Sequence, residues 1–461
     1  MSGTLAFVDR LKRHVVGESF VRRNPLYYER SRRLLDRLEA MDLEGRRAWT
    51  RSQLARTLSA ARRTDYGCIV RGDADIQSWP LLAKEVLRDR LRAFTTGNDW
   101  FAAPANTGGT AGVPLKLVRS LDGIVFEQAC IDRLVFQLGL HPRTVRTATI
   151  RGDNVQDPRT LVRPDGVSAN GGRARIFCAH AVTEKNIDGI VASLTKFAPN
   201  LICAYPSALE MLCRLLQQRG ISLKVDATLT SSEVFKPEAW TLAREVLGAR
   251  NADYYGQAER VAFAYAFAPR EYRFLPGYSH VEFLRHDSKL LPPGSDERLY
   301  EIVGTSLWNN LMPLVRYRTG DLIRLPASWG MHELEELALG LRTFPGILGR
   351  EQEVICCPAG VRLTGLESLP HNVEHVLRIQ VVQETLNSAR IRVVPAPGFC
   401  EQDAAQLMAN VRAKVPCDLS LSVEIAQWLE RTPRGKTPLI VHRPPVHEAL
   451  RRAGVEPMHT H

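Results

Sequence analysis

Leu201-Ile202-Cys203-Ala204-Tyr205-Pro206-Ser207-Ala208-Leu209-Glu210-Met211-Leu212-Cys213-Arg214-Leu215-Leu216 is the stretch that decides the fold. Its first five residues form a short apolar run, as a strand buried on both faces of a parallel sheet would. Pro206 ends that run. Ser207 with Glu210 matches a capping box, in which side chains satisfy the orphan N–H groups of a helix start. Leu209, Leu212, Cys213 and Leu216 then recur at i, i+3, i+4 and i+7, the apolar face of a helix that Gly220 closes. Residues 227–230 read as a second strand, 237–247 as a second helix and 252–255 as a third strand. Strand–helix–strand–helix–strand at this spacing predicts a parallel sheet with right-handed crossovers.

Outward from this unit the period changes. After Pro276, residues 281–283, 299–303 and 322–325 alternate as short strands, which predicts antiparallel sheet or a small barrel. Beyond about residue 350 a strand near 354–355, another at 391–394 and a helix near 402–414 suggest a separate α+β unit, with Gly346 to Gln352 as the boundary. Trp79-Pro80-Leu81-Leu82 reads as a packed loop before a short helix at Lys84-Glu85. The expected class is α/β. A large domain over 1–347 would hold mostly parallel sheets flanked by helices plus a small antiparallel barrel-like part. A small mobile α+β domain would follow over 348–461, and 461 residues suffice for two or three domains.

Composition excludes several classes. Hydrophobic residues at 44% and charged residues at 24% are ordinary globular values, so wholesale disorder and fibrous repeats are out. The longest apolar run, residues 261–268, is far shorter than the ~20 residues a membrane span needs. No apolar stretch follows a basic cap at the start, so no secretory signal is expected. The nine cysteines are odd in number and contain no C-x-x-C pair, and the adjacent Cys356-Cys357 is too cramped for a zinc knuckle. A reducing cytoplasm is the expected compartment.

The net charge of +11 is uneven, since residues 1–70 hold 15 Lys+Arg against 8 Asp+Glu. Arg22, Arg23, Arg32, Arg33, Arg46, Arg47, Arg62 and Arg63 dominate this basic helical part, which extends to about residue 75. Such a patch could serve a polyanion. No aromatic residues interleave with the arginines as stacking platforms, so a solvated helix face is the plainer reading and nucleic acid is not the expected partner.

Six segments carry chemistry. Thr107-Gly108-Gly109-Thr110-Ala111-Gly112-Val113-Pro114 sets three glycines among hydroxyl groups, letting several backbone N–H groups face one anion. It fits neither G-x-x-x-x-G-K-[ST] nor G-x-G-x-x-G, and a surface turn would use the same residues. Tyr254-Tyr255-Gly256-Gln257-Ala258-Glu259 follows the third strand, and Ser231-Ser232-Glu233 follows the second. Both therefore lie where open α/β sheets bind ligands. An aromatic ring and a carboxylate there could stack a base and hold Mg²⁺, although a structural tyrosine and a solvated acid fit as well. In Tyr317-Arg318-Thr319-Gly320-Asp321 the acid could accept from ribose hydroxyls, or the Gly-Asp pair could simply turn the chain. Gly349-Arg350 precedes the small unit, and Arg431-Thr432-Pro433-Arg434-Gly435-Lys436 sets a lysine on a basic loop.

Taken in order, these segments resemble the adenylate-forming superfamily of acyl-CoA synthetases, adenylation domains and luciferases. Within it, residues 79–85, Ala204-Tyr205-Pro206-Ser207, Ser231-Ser232-Glu233 and Met312-Pro313-Leu314-Val315 through Asp321 are most similar to phenylacetate–CoA ligases and related capsular-polysaccharide adenylating proteins. The likeness runs from about residue 75 to residue 440. It implies that Thr107, Gly108, Gly109, Thr110 and Gly112 cradle phosphate, and that Tyr255 stacks on adenine beside Gly256. The backbone of Ser232 and Glu233 would meet the adenine edge, and Asp321 would hold the ribose. Glu259 would coordinate Mg²⁺, Arg350 would sit near ribose and phosphate, and Lys436 would reach the carboxylate and α-phosphate. The implied reaction is ATP-dependent and AMP-forming. It activates a small or aromatic carboxylic acid and passes it to CoA, an amine or a carrier-protein thiol. Two alternatives stand beside it: transfer of AMP to a hydroxyl of a cofactor or sugar, and a degenerate scaffold that binds polyanions.

Departures from the pattern bear on rate. Ala258 and Ala111 stand where relatives carry hydroxyl residues, Gln352 replaces the usual hinge acid, and residues 358–363 only partly match the loop that serves thioester formation. His371-Asn372-Val373-Glu374-His375 has the spacing of an inverted zinc-protease motif but falls where a plain helix is expected. Cys203 and Cys213 lie on apolar faces and read as core.

Overall fold

The computed structural model describes residues 21–97, 103–106, 115–151, 164–286, 295–350, 355–356, 362–363, 373, 375–412, 419–431 and 437–452. A short hairpin, β1 (Ala103–Asn106) with β2 (Lys116–Arg119), leads to helix Leu121–Gln137. The main sheet follows, from β3 (Thr147–Arg151), β4 (Val167–Ala169), β5 (Ala174–Cys178), β6 (Leu201–Ala204), β7 (Ala227–Ser231), β8 (Arg250–Gly256), β9 (Phe263–Ala266) and β10 (Arg273–Phe274). Its order is β10-β9-β8-β7-β6-β3-β5-β4. The five inner strands β5, β3, β6, β7 and β8 are parallel, so their carboxyl ends share one edge.

The predicted strand–helix–strand unit is present, with helices Pro206–Gln218 and Pro237–Leu247 between its strands. The second begins on proline at its first turn, where no donor is lost, and closes on Gly248 in the left-handed region. One point differs from expectation. Ser207 and Glu210 form no capping box: the helix has no side-chain cap from its own N-cap residue, and Glu210 instead pairs with Arg214 at 2.8 Å. The Ser207 N–H is taken by Glu233, which arrives from the next strand, so the local motif is outcompeted.

Helices Ile187–Phe197, Pro206–Gln218 and Pro237–Leu247 cover one face, where Ile202, Leu209, Leu212, Cys213 and Leu216 are buried together. Helices Leu121–Gln137 and Pro25–Ala40 pack the other, over Leu201, Ala227, Leu229 and Ala252. Burial on both faces is why the inner strands carry continuous apolar runs rather than alternation. Burial also pushes the thiols of Cys203 and Cys213 up to about 11 and about 12, as core cysteines should be.

The alternating strands after Pro276 form β11 (Ser279–Arg285), β12 (Glu297–Ser306), β13 (Tyr317–Pro326) and β14 (Ile347–Arg350), an antiparallel sheet in that order. The expected barrel-like part is corrected here. Among the described residues this sheet is open, with β11 and β14 at its edges. It meets the connection between β8 and β9 closely: a Cβ on Gly304 of β12 would lie 2.0 Å from the Val261 carbonyl oxygen. Further on, β15 (Ile355–Cys356) pairs with β16 (Arg362–Leu363). A last sheet of β17 (Val376–Thr385), β18 (Ser388–Pro395), β19 (Ser420–Ile425) and β20 (Ile440–His442) carries helix Glu401–Arg412 over its own core of Val381, Ile391, Val393 and Leu407.

The basic N-terminal helices are not simply a solvated face. Arg23 grips the buried Asp132 with bonds of 2.6 and 2.8 Å. Arg46 is buried and donates to the carbonyls of Leu339 and Gly340, while Arg47 forks onto Glu335. Sequence could not distinguish these inward staples from a surface charge run, because their partners lie about 100 to 300 residues away. No helix among the described residues is long and apolar enough to cross a membrane.

Candidate functional site

The carboxyl edge of the parallel strands gathers the motifs. β8 ends on Tyr255-Gly256 and β7 on Ser231, with Ser231 opposite Tyr254 in the register. The Tyr255 hydroxyl donates to Asp321 Oδ2 at 2.7 Å and accepts from Gln257 Nε2 at 2.6 Å. Gln257 Oε1 in turn accepts from the Ala262 N–H, which pins the turn. Burial pushes the Tyr255 phenol well above its ordinary range, and the Asp321 charge adds to this, so the hydroxyl remains a donor. Asp321 sits on β13 opposite Arg350 of β14, so two residues from separate motifs are neighbours across one ladder.

Glu259 follows the same turn. Its Oε1 accepts from the Tyr317 hydroxyl at 2.8 Å, four residues before Asp321 on β13. The turn is backed from below, as Arg119 Nη2 donates to the Ala258 carbonyl at 2.8 Å and Arg260 Nη1 to that of Gly123 at 2.7 Å. Burial lowers the Arg119 guanidinium to about 10, a cost accepted to hold that loop. Gly256 needs no glycine on packing grounds, for a Cβ there would meet atoms only at 3.8 Å or beyond.

Ser232 adopts the left-handed region, φ 76°, immediately after β7. A non-glycine residue there is uncommon, and it turns the chain so that Glu233 faces helix Pro206–Gln218. Glu233 Oε2 accepts the Ser207 N–H at 2.9 Å and Oε1 the Thr437 N–H at 3.3 Å. Thr437 follows Lys436 in sequence.

The sequence reading missed three groups at this edge. Arg151 ends β3 and donates to Ser231 Oγ at 2.6 Å, with its guanidinium 5.6 Å from the centre of the Tyr205 ring. Tyr205 itself is buried after β6. A charged residue closing the alternating run 147–151 was the available signal. β3 is where strand order breaks, with β5 on one side and β6 on the other, and open α/β sheets bind ligands at such a crevice. Tyr317 was quoted within its motif but given no partner.

Thr107, Gly108, Gly109, Thr110, Gly112 and Lys436 lie outside the described residues, as do His371 and Glu374. His375 bonds Asp403 Oδ2 at 2.9 Å. The structure thus brings together Tyr255, Asp321 and Glu259 through Tyr255 and Tyr317 hydroxyls, with Ser232 and Glu233 at the adjoining strand end.

No family model matches the chain. A phenylacetate–coenzyme A ligase of Aromatoleum evansii is 26% identical over 324 residues, which is 66% of this chain and 66% of that protein, just under two thirds of its length. The phenylacetate–coenzyme A ligase of Pseudomonas putida is 25% identical over 389 residues, 78% of this chain and 82% of the relative. Among solved structures, 2-hydroxyisobutyryl-CoA ligase in the postadenylation state with 2-HIB-AMP superposes with a TM-score of 0.62 at 14% identity, over 88% of this chain and 91% of that one. The same enzyme with R3-HIB-AMP gives 0.60 over the same shares. In sequence the chain is thus similar to phenylacetate–coenzyme A ligases, and in fold to 2-hydroxyisobutyryl-CoA ligase.

Proposed function

We propose that the chain is an ATP-dependent, AMP-forming acid–CoA ligase that activates a carboxylic acid as its acyl-adenylate and passes the acyl group to coenzyme A. The observation that carries this reading is the Tyr255–Asp321 hydrogen bond, which joins two motifs 66 residues apart at the carboxyl edge of the sheet. A ring held by its hydroxyl offers a face to a purine, and the acid beside it offers oxygens to two ribose hydroxyls. The two phenylacetate–coenzyme A ligases support coenzyme A as acceptor.

In this reading Glu259 is the residue that holds Mg²⁺. One carboxylate suits an ion that binds one or two acids plus substrate phosphates rather than a protein cage. Among the described residues no group of three or more His, Cys, Asp or Glu is placed to hold a metal alone. When bound, Mg²⁺ would neutralise charge on the triphosphate. Thr107, Gly108, Gly109, Thr110 and Gly112 would offer N–H groups and hydroxyls to phosphate. Arg350 would steady ribose and phosphate, and Lys436 would stabilise the negative charge that develops as carboxylate meets the α-phosphate. The acid is proposed to be small or aromatic, and the setting cytoplasmic.

The test is a screen of carboxylic acids for AMP release, with and without coenzyme A, in the wild type and Lys436→Ala. At least one acid should release AMP and form a thioester. Lys436→Ala should lose ~100-fold or more in acid-dependent exchange of pyrophosphate into ATP. AMP retained on the product would instead favour adenylyl transfer to a hydroxyl, and no turnover with any acid would defeat the ligase reading.

A further inference from the structure

The sequence reading gave the Glu233 side chain no task of its own, yet it joins three parts of the molecule. It follows β7, and its two carboxylate oxygens accept N–H groups from residues 26 positions before it and 204 positions after it, Ser207 and Thr437. Ser207 lies in the first turn of helix Pro206–Gln218, which lacks a side-chain cap from its own N-cap residue. A carboxylate suits that end, where unsatisfied N–H groups concentrate partial positive charge.

Two arginines flank the joint from the same C-terminal side. Arg431 Nη1 donates to the Ala179 carbonyl at 2.8 Å, and Arg378 Nη1 to the Ser207 carbonyl at 3.4 Å. Burial lowers Arg431 to about 10 despite the opposing charge of Glu233. Glu210, one turn further along the helix, is held below the usual carboxylate range: burial works against this, and Arg378 leads the charges that outweigh it. Glu233, after β7, and Glu210, on helix Pro206–Gln218, thus feel the charge of arginines from the C-terminal part.

We propose that Glu233 is a positioning residue that fastens the C-terminal segment at Thr437 to the carboxyl edge of the main sheet, and so sets that segment for acyl-adenylate formation. Each oxygen is committed to a different element, which a neutral side chain of the same length cannot reproduce, since glutamine has one acceptor. The kinetic part of the proposal rests on the two-step ligase reading; the docking part does not.

The experiment compares the full-length wild type with Glu233→Ala, Glu233→Gln and Arg431→Ala. Amide hydrogen exchange at Thr437 should accelerate ~10-fold in Glu233→Ala and less in Glu233→Gln, as expected for loss of a bond to a charged acceptor. Pyrophosphate exchange should fall ~10-fold in Glu233→Ala, while transfer from chemically prepared acyl-adenylate to coenzyme A changes less than ~2-fold. Arg431→Ala should reproduce that split from the other side. Unchanged Thr437 exchange in Glu233→Ala overturns the proposal. So does an equal loss of both half-reactions with a lowered melting temperature, the mark of a merely structural residue. If wild type exchanges pyrophosphate with no acid, the ligase reading fails, and protection of Thr437 alone decides the docking.

Discussion

Asp132, beneath the N-terminal helices, and Asp253, in the strand that ends at the site, are 1% and 3% exposed and solve charge burial differently. Asp132 receives two bonds from Arg23, one from the Tyr28 hydroxyl at 2.6 Å and one from Gln128 at 2.8 Å. Asp253 is held by neutral hydroxyls, Thr230 at 2.5 Å and Tyr272. Burial pushes Asp253 up to about 6, the donors and Arg151 offsetting only part of it. The first region closes its charges on itself and serves as scaffold. At the site, Asp321 and Glu259 likewise take bonds from tyrosine hydroxyls.

Three changes would sharpen or break that contrast. The largest effect is expected from Asp132→Ala, which removes the acceptor shared by Arg23, Tyr28 and Gln128 and should cost about 3–5 kcal/mol. Denaturant unfolding measures it, and a loss below ~1 kcal/mol would mean the pair is not a staple. Next, Asp321→Ala should raise the KM for ATP ~10- to 100-fold, the scale of a lost hydrogen bond to a charged acceptor, with little change in melting temperature. Unchanged ATP kinetics would remove Asp321 from the nucleotide site. The smallest is a slope. The folded protein binds the Asp253 proton more tightly than the unfolded chain, whose carboxyl lies near 3.8. Stability should therefore decline as pH rises through roughly 4 to 6, by at most ~1.4 kcal/mol per pH unit. Asp253→Asn should flatten unfolding curves across that window, and an undiminished slope would place the titration elsewhere.

Much of this was legible in the residues. The apolar run 201–205 and the i, i+3, i+4 pattern after it fixed strand and helix because burial on both faces leaves no alternative composition. Pro237 and Gly248 marked the limits of the next helix for steric reasons. The motifs at residues 231–233 and 254–259 were visible because each sits where a strand stops. What could not be read were partners distant in sequence. Glu233 replaced the expected capping box, since its carboxylate, arriving after β7, takes the Ser207 N–H that the Glu210 carboxylate would have accepted. Nor did the charge run betray that Arg46 turns inward to two carbonyls 293 and 294 residues away. The barrel failed for a related reason: alternation specifies antiparallel strands but says nothing about closure.

Gly304 carries a consequence for how this architecture can vary. Any side chain there would strike the Val261 carbonyl, two residues past Glu259. The spacing between β12 and the connection from β8 to β9, and hence the position of the turn bearing that acid, is gauged by a single hydrogen atom. Even alanine at this point would act as a wedge, pushing that turn away from β12 without altering a residue within it.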